Sequence, residues 1–291
     1  LDRIAYVNGT FVPLANAQIS ILDRGFLFAD GVYEVVAVLD GGLVDNAAHL
    51  ARLEWSLTEI SLASPEPIER IVEIQKELIA RNNLVEGLIY LQITRGPAER
   101  DFAFPKAAQP TLVMFTQAKN ILRSEAATRG VHVKTVPDIR WERRDIKSIA
   151  LLAQSLAKQA AAAENCQEAW MVDHEGAITE GSSSTAYIIT KDRKLVTRPN
   201  SKTILPGCTR RAILALAERD GVEFEERAFS IEEALDAAEA FLTSATTFVT
   251  PIVRLDGTPI GDDAPGKLTL ELRELYIKFA RDDARRSKER A

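Results

Sequence analysis

Only two residues, Asn8 and Gly9, separate the run Ile4-Ala5-Tyr6-Val7 from Thr10-Phe11-Val12. A gap that short forces the strands back on each other, and Asn-Gly supplies the positive φ angles that a two-residue hairpin demands. A second hairpin is expected from Val32 to Val44, where the run Tyr33-Glu34-Val35-Val36-Ala37-Val38 meets a turn at Asp40-Gly41-Gly42. Helical periodicity then follows twice, through Leu50, Leu53, Leu57 and Ile60 and again through Ile68, Ile71, Val72, Leu78 and Ile79. Strands from Leu88 to Thr94 and from Thr111 to Thr116 complete an N-terminal α+β domain over residues 1–118. The polar stretch Gln117 to Arg129 lacks a strand pattern, which places an interdomain linker at 119–129 and a second domain at 130–291.

In that second domain a strand from Val131 to Val136 precedes an alanine- and leucine-rich helix, expected from about Ile149 to Glu164 with Ser148 as its N-cap. Short strands follow at Glu168 to Val172, Thr185 to Thr190 and Leu195 to Thr197, and a helix at Thr209 to Arg219 is ended by Gly221. Ser230 and Glu233 have the spacing of a capping box. The last strands are Phe241 to Thr243 and Val249 to Leu255, before a C-terminal helix.

Composition narrows the function. At 46% hydrophobic, 291 residues can bury the cores of two domains. The 36 basic and 42 acidic residues are interspersed, and a net charge of -6 argues against a nucleic-acid partner. No run reaches the roughly 18 to 20 apolar residues of a membrane span, and no secretory signal pattern opens the chain, so a cytoplasmic protein is expected. Cys166 and Cys208 have neither the spacing of a disulfide staple nor that of a metal site, and His49, His132 and His174 pair with no carboxylate or cysteine at ligand spacing. No metal is expected. A Gly-x-Ser-x-Gly elbow is also missing, which lowers a serine hydrolase reading.

Several residues are candidates for chemistry. Lys147 lies between Ile146 and Ile149 at the expected start of a helix, where burial and the helix dipole both favour the neutral amine that Schiff-base chemistry requires. By position alone, such a lysine more often snorkels to solvent. Thr179-Glu180-Gly181-Ser182-Ser183-Ser184-Thr185 gathers a carboxylate and three serine hydroxyls at a strand end. Glu180 could hold a proton on a heteroaromatic nitrogen while the serines orient ring or phosphate oxygens, though an ordinary polar turn reads the same way. Leu205-Pro206-Gly207-Cys208-Thr209 leads into a helix whose first amides suit an anion, without Walker spacing, and a plain loop-to-helix junction reads at least as well. Arg52 sits beside an apolar stripe, where a guanidinium could reach a buried phosphate as a fork, although such an arginine is more often solvated; Arg100, in a loop between strands, reads equally as an exposed surface charge.

Taken in order along the chain, these features resemble the fold-type-IV pyridoxal-phosphate enzymes, with the nearest likeness to bacterial D-amino acid aminotransferases. The resemblance runs from Tyr6-Val7-Asn8-Gly9 through Asp23-Arg24-Gly25, Phe28-Ala29-Asp30-Gly31-Val32-Tyr33-Glu34, Ile93-Thr94-Arg95-Gly96, Asp145-Ile146-Lys147-Ser148 and Glu180-Gly181-Ser182-Ser183-Ser184 to Phe241-Leu242-Thr243-Ser244. It implies an α+β fold in two domains, an N-terminal α/β sandwich and a C-terminal β-barrel-like domain with surrounding helices. It also implies a homodimer with the active site between the domains, pyridoxal 5'-phosphate as cofactor, and small amino acids and keto acids as substrates. Lys147 would be the Schiff-base lysine and Glu180 the partner of the pyridine nitrogen. Arg52, Gly207, the amides of Cys208 and Thr209, Ser244 and Ala245 match phosphate-side positions, with Leu205 packed on the ring. Tyr33 and Arg100 match positions that bind the substrate carboxylate, Arg100 reaching in from the other subunit, while Glu34 and His49 match a proton network near the cofactor.

Three positions depart from that pattern. Phe102 stands where a carboxylate-binding histidine is usual, Thr185 replaces an asparagine, and Ala245 takes the place of a phosphate-binding threonine. The expected reaction is D-amino acid plus 2-oxoglutarate giving a keto acid and D-glutamate. Phe102 keeps a branched-chain L-amino acid or (R)-amine transaminase open, and a noncatalytic ligand-binding relative is the remaining alternative.

Overall fold

A computed structural model describes residues 3–289. The chain divides into two compact units. The first holds the chain up to Asn120, the short segment Ile146–Ala150 and the residues from Ala280 on; the second holds Ile121–Asp145 and Leu151–Phe279. Along the chain, the first unit contributes β1 (Ile4–Val7), β2 (Thr10–Pro13), a 3-10 turn at Leu14–Asn16, α1 (Arg24–Phe28), β3 (Gly31–Leu39), β4 (Gly42–Leu43), α2 (Asn46–Glu59), α3 (Ile68–Arg81), β5 (Gly87–Thr94) and β6 (Thr111–Ala118).

The strands of this unit form one antiparallel sheet in the order β2-β1-β6-β5-β3-β4. Asn8 and Gly9 adopt φ of 46° and 91°, the two left-handed positions expected of the β1–β2 turn. Helices α2 and α3 cover one face. Leu50, Leu53 and Leu57 of α2 and Ile71, Ile74 and Leu78 of α3 are buried against Tyr6, Leu91, Ile93, Leu112 and Met114 of the strands. On the opposite face Tyr33, Tyr90 and Phe115 stack across three strands, with centroids 5.7 and 4.9 Å apart, and remain half-buried.

One edge of this sheet explains a departure from expectation. Strand β4 pairs only with Val38 and Leu39, leaving the first residues of β3 open on that side. The segment around Lys147 fills the gap. Tyr33 N donates to Lys147 O at 3.0 Å, Ile149 N donates to Gly31 O at 3.1 Å, and Val32 bridges Ser148. Held extended in this way, Ser148 is not a helix cap. The following helix begins only at Leu152, after an N-cap residue, Leu151, that makes no side-chain cap bond.

The second unit contains α4 (Glu125–Arg129), β7 (Val131–Pro137), α5 (Leu152–Ala163), β8 (Glu168–Val172), β9 (Ile178–Gly181), β10 (Thr185–Ile189), β11 (Leu195–Thr197), α6 (Cys208–Arg219), β12 (Phe224–Glu226), α7 (Ile231–Asp236), β13 (Glu239–Ser244), β14 (Phe248–Leu255), β15 (Thr258–Pro259) and the first part of α8 (Lys267–Glu289). The polar stretch read as a linker thus includes a helical turn, α4, capped where Ser124 accepts from Ala127 N at 3.3 Å. The mixed sheet runs β12-β11-β10-β13-β14-β7-β8-β9, with β15 on β14. It curls so that β9, at one end, comes against β10. Trp170, Ile178, Ile188, Val196, Phe229, Leu242 and Ile252 fill its core. Ser230 accepts from Glu233 N at 3.2 Å as the capping box requires, but the Glu233 carboxylate turns to Arg227 instead of closing the box.

Candidate active site

In the first unit Lys147, bonded to β3 through its carbonyl, is also tied to α2 through its backbone N–H. Lys147 N donates to Ser56 Oγ at 3.2 Å, and the amine lies 4.3 Å from the centroid of the Tyr33 ring. Successive residues of a strand face opposite ways, so Tyr33 meets the lysine while Glu34 turns toward α2. There Glu34 accepts from Arg52 Nε and Nη2, both at 2.8 Å, and pairs with His49 Nδ1 at 2.7 Å. His49 and Arg52 are three residues apart on α2, and that spacing presents both to one carboxylate. Burial works against the Glu34 charge, but Arg52 and His49 outweigh it and hold the carboxyl far below the usual carboxylate range.

Arg100 is exposed, with its guanidinium 5.4 Å from the Phe28 ring and 5.6 Å from the Phe102 ring. Phe102 is 78% exposed and packs on Phe28 at 5.4 Å. An aromatic edge therefore stands beside Arg100 at position 102.

In the second unit Glu180, at the end of β9, is buried and forms a short ion pair with Arg140, and it accepts Leu205 N at 3.1 Å. Arg140 is held in turn by Asp138, through Nε at 3.0 Å and Nη2 at 2.8 Å, and Asp138 also accepts from Thr179 Oγ1 at 2.8 Å. Burial pushes the Glu180 carboxyl up, and the Arg140 cation only partly offsets it. Arg140 and Asp138 escaped sequence reasoning because nothing local marks them; the carboxylate they serve lies on another strand.

From Leu205 the chain passes through Gly207, the N-cap of α6, which offers no side chain to cap the helix that starts at Cys208 and Thr209. A Cβ at Gly207 would stand 2.9 Å from Thr185 Oγ1 and 3.1 Å from Arg210 Cβ. Thr185 pairs with Thr243 across the sheet; Ser244 is the last residue of β13 and Ala245 begins the turn after it. Ser244 Oγ lies 2.8 Å from Thr247 Oγ1, and Arg273 holds this turn by donating to the carbonyls of Thr247 and Val249 at 3.1 and 2.5 Å. Leu205, Gly207, Thr185 and the β13–β14 turn are thereby drawn together at one end of the sheet.

The serines do something different from what was expected. Ser182, Ser183 and Ser184 all donate to the carboxylate of Glu168, the last two at 3.1 and 3.0 Å, so they fix the β9–β10 turn instead of orienting ring or phosphate oxygens. Glu168 was not singled out from the sequence, where it reads as the polar first residue of a strand.

A family model described as amino-transferase class IV matches residues 31–255, a span that includes every candidate residue from Tyr33 to Ala245. A D-alanine aminotransferase of Staphylococcus aureus (strain N315) is 39% identical over 276 residues, 94% of this chain and 96% of its own length. The chain belongs to the class IV aminotransferases. Its fold is shared with the branched-chain amino acid aminotransferase of Escherichia coli, at a TM-score of 0.89 and 22% identity over 98% of this chain and 96% of that one. The branched-chain amino acid aminotransferase of T.th., solved with pyridoxamine 5'-phosphate, gives a TM-score of 0.88 at 23% identity over 96% and 95% of the two chains. This is the fold-type-IV architecture, an α+β fold with a curled second sheet.

A class IV aminotransferase works with pyridoxal 5'-phosphate, and the donor set suits that group. The first unit offers an amine of the kind that condenses with an aldehyde; the second, by itself, offers a buried carboxylate of raised proton affinity, which could face a ring nitrogen, and a helix start without a side-chain cap, which could take a phosphate. Among the described residues no group of His, Cys, Asp and Glu could hold a metal ion, and no helix is long and apolar enough to cross a membrane.

Proposed function

We propose that this aminotransferase acts on D-amino acids, passing the amino group to 2-oxoglutarate to give a keto acid and D-glutamate. The observation that carries the reading is the 39% identity, over nearly the full length of both chains, with a D-alanine aminotransferase. In this reading Lys147 attaches the cofactor, Glu180 faces the ring nitrogen with Leu205 against the ring, and Arg52, Gly207, Cys208, Thr209, Ser244 and Ala245 hold the phosphate. When bound, pyridoxal phosphate supplies an electron sink for the carbanion left at Cα.

The chain's own residues do the rest. The Lys147 amine is fixed through its backbone bonds to Ser56 and Tyr33, so its reach is restricted to the side of the Tyr33 ring. From there it takes the Cα proton and returns it one atom away. Glu180, whose burial raises its affinity for a proton, keeps one shared with the ring nitrogen, and Arg140 and Asp138 fix its orientation. Tyr33 and Arg100 orient the substrate carboxylate, Arg100 being supplied by a second copy of the chain. The half-buried aromatic face of Tyr33, Tyr90 and Phe115, together with exposed Ile21, Phe26 and Phe102, supports a homodimer. The thiols of Cys166 and Cys208, neither of them in a disulfide among the described residues, accord with a cytoplasmic enzyme.

Phe102 favours a second reading, a branched-chain L-amino acid or (R)-amine transaminase, because its ring adds apolar surface beside Arg100 in place of a hydrogen-bond donor. Absorbance separates the two. The holoenzyme band at ~410 nm should bleach with D-alanine and not with L-leucine; bleaching by L-leucine alone would replace the D-amino acid reading. The Lys147→Ala variant should form no such band and turn over nothing, and transamination at the wild-type rate would remove Lys147 from the chemistry.

A further inference from the structure

We infer that Arg24 is a positioning residue that holds the Arg100 loop in shape for the substrate carboxylate. The inference rests on the reading of Arg100 given above. Arg24 is 3% exposed at the start of α1, a place where a guanidinium has no local reason to be buried. Its nitrogens are turned onto the backbone of the loop: Nη1 donates to the carbonyls of Asp101 and Ala103 at 2.5 and 3.4 Å, and Nη2 donates to that of Phe102 at 3.4 Å. Three successive carbonyls converging on one cation fix the local course of the chain directly after Arg100.

The cation itself is anchored from behind. Arg24 Nε binds Asp30 Oδ2 at 2.7 Å, and the same oxygen accepts Arg95 Nε at 2.8 Å. Arg95 is tied to the end of α2 through the carbonyls of Ile60 and Ser61, at 2.8 and 3.1 Å. A continuous chain of charged hydrogen bonds therefore runs from the packed helix layer to an exposed loop. Phe28 adds a second link, with the Arg24 guanidinium 4.6 Å and the Arg100 guanidinium 5.4 Å from its ring.

The arrangement also makes the inference testable without loss of the fold. If Arg24 is replaced, Asp30 keeps Arg95 as its partner, so no buried carboxylate is stranded. The experiment compares Arg24→Gln, Arg24→Lys, Arg100→Ala and the double variant Arg24→Gln/Arg100→Ala as cofactor-loaded enzymes. It uses whichever amino acid bleaches the wild type. Single-turnover bleaching gives the limiting rate and the half-saturating concentration, and trypsin reports cleavage after Arg100 and Lys106.

Arg24→Gln is expected to raise the half-saturating concentration roughly tenfold or more while the limiting rate stays within about threefold. Arg24→Lys, which keeps the charge but not the fork, should fall between. In the Arg100→Ala background the Arg24 change should add less than about twofold, because the two act through one contact. Trypsin should cut the loop faster in Arg24→Gln than in the wild type. The inference is overturned if the Arg24 and Arg100 effects multiply, if Arg24→Gln loses limiting rate as much as affinity, or if loop cleavage does not change. Should Arg100→Ala leave the half-saturating concentration unaltered, the carboxylate role of Arg100 fails, and the clamp then stands or falls on the trypsin rate alone.

Discussion

Replacing Glu34 with leucine tests how Arg52 is held. The carboxylate is 1% exposed and receives three charged hydrogen bonds, two from Arg52 and one from His49, while Arg52 itself is only 9% exposed. Leucine fills the space but takes the carboxylate and its two hydrogen bonds away from the buried guanidinium. Removing one partner of a buried ion pair costs about 3–5 kcal/mol. At roughly 2–4 °C per kcal/mol for a chain of this size, Tm should fall by roughly 6–20 °C. Glu34→Leu/Arg52→Met should recover much of that loss, since an apolar pair leaves no charge uncompensated.

The pH dependence has a definite sign. Because the folded carboxyl is held far below its ordinary value of 4.5, its stabilisation is complete above that pH and is lost as the pH falls below it. Differential scanning calorimetry of the three proteins from pH 8 to pH 3 should show the gap between wild type and Glu34→Leu closing only on the acid side of 4.5. A Tm change below about 2 °C for Glu34→Leu, or a double variant no more stable than the single, would refute the reasoning that this is a coupled buried pair.

Two further outcomes follow from geometry. Gly207→Ala drives a methyl to 2.9 Å from Thr185 Oγ1 at the start of α6, so cofactor affinity, read by equilibrium dialysis against the visible band, should weaken roughly tenfold with little change in Tm. Unaltered affinity would separate this helix start from the phosphate. Glu168→Leu removes the shared acceptor of Ser182, Ser183 and Ser184, and stability to urea should drop by about 2–4 kcal/mol, whereas Lys158→Met, at the exposed rim of the same cluster, should change it by less than about 1 kcal/mol.

What could be read from the sequence was whatever local chemistry dictates. Asn8-Gly9 specified its turn because few other pairs accept two positive φ angles. The stripes of α2 and α3 specified their buried faces because a helix repeats its side chains every 3.6 residues. What could not be read was set by partners distant in sequence. Ser148 has the side chain of a helix cap, but β3 takes the backbone on either side of it first. Three serines before a strand look like ligand donors until Glu168, on β8, is known to face all three. Arg52 was read as a phosphate fork; that one edge of its guanidinium is given to Glu34 follows only from the way α2 lies on β3.

The edge of β3 has a consequence for how the chain is made. As the polypeptide leaves the ribosome, strands β1 to β6 can pair and bury their helices early, yet the first residues of β3 keep an unfilled edge until Lys147 to Ile149 arrive. Still later, Ser287 and Asp283 accept the amides of Leu43 and Asp45 across sequence separations of 244 and 238 residues. Such distant closures slow folding and leave a strand edge open to foreign pairing in the interval. The lysine proposed to attach the cofactor is thus carried by the segment that covers this edge of β3, so a chain able to present that amine has already closed it.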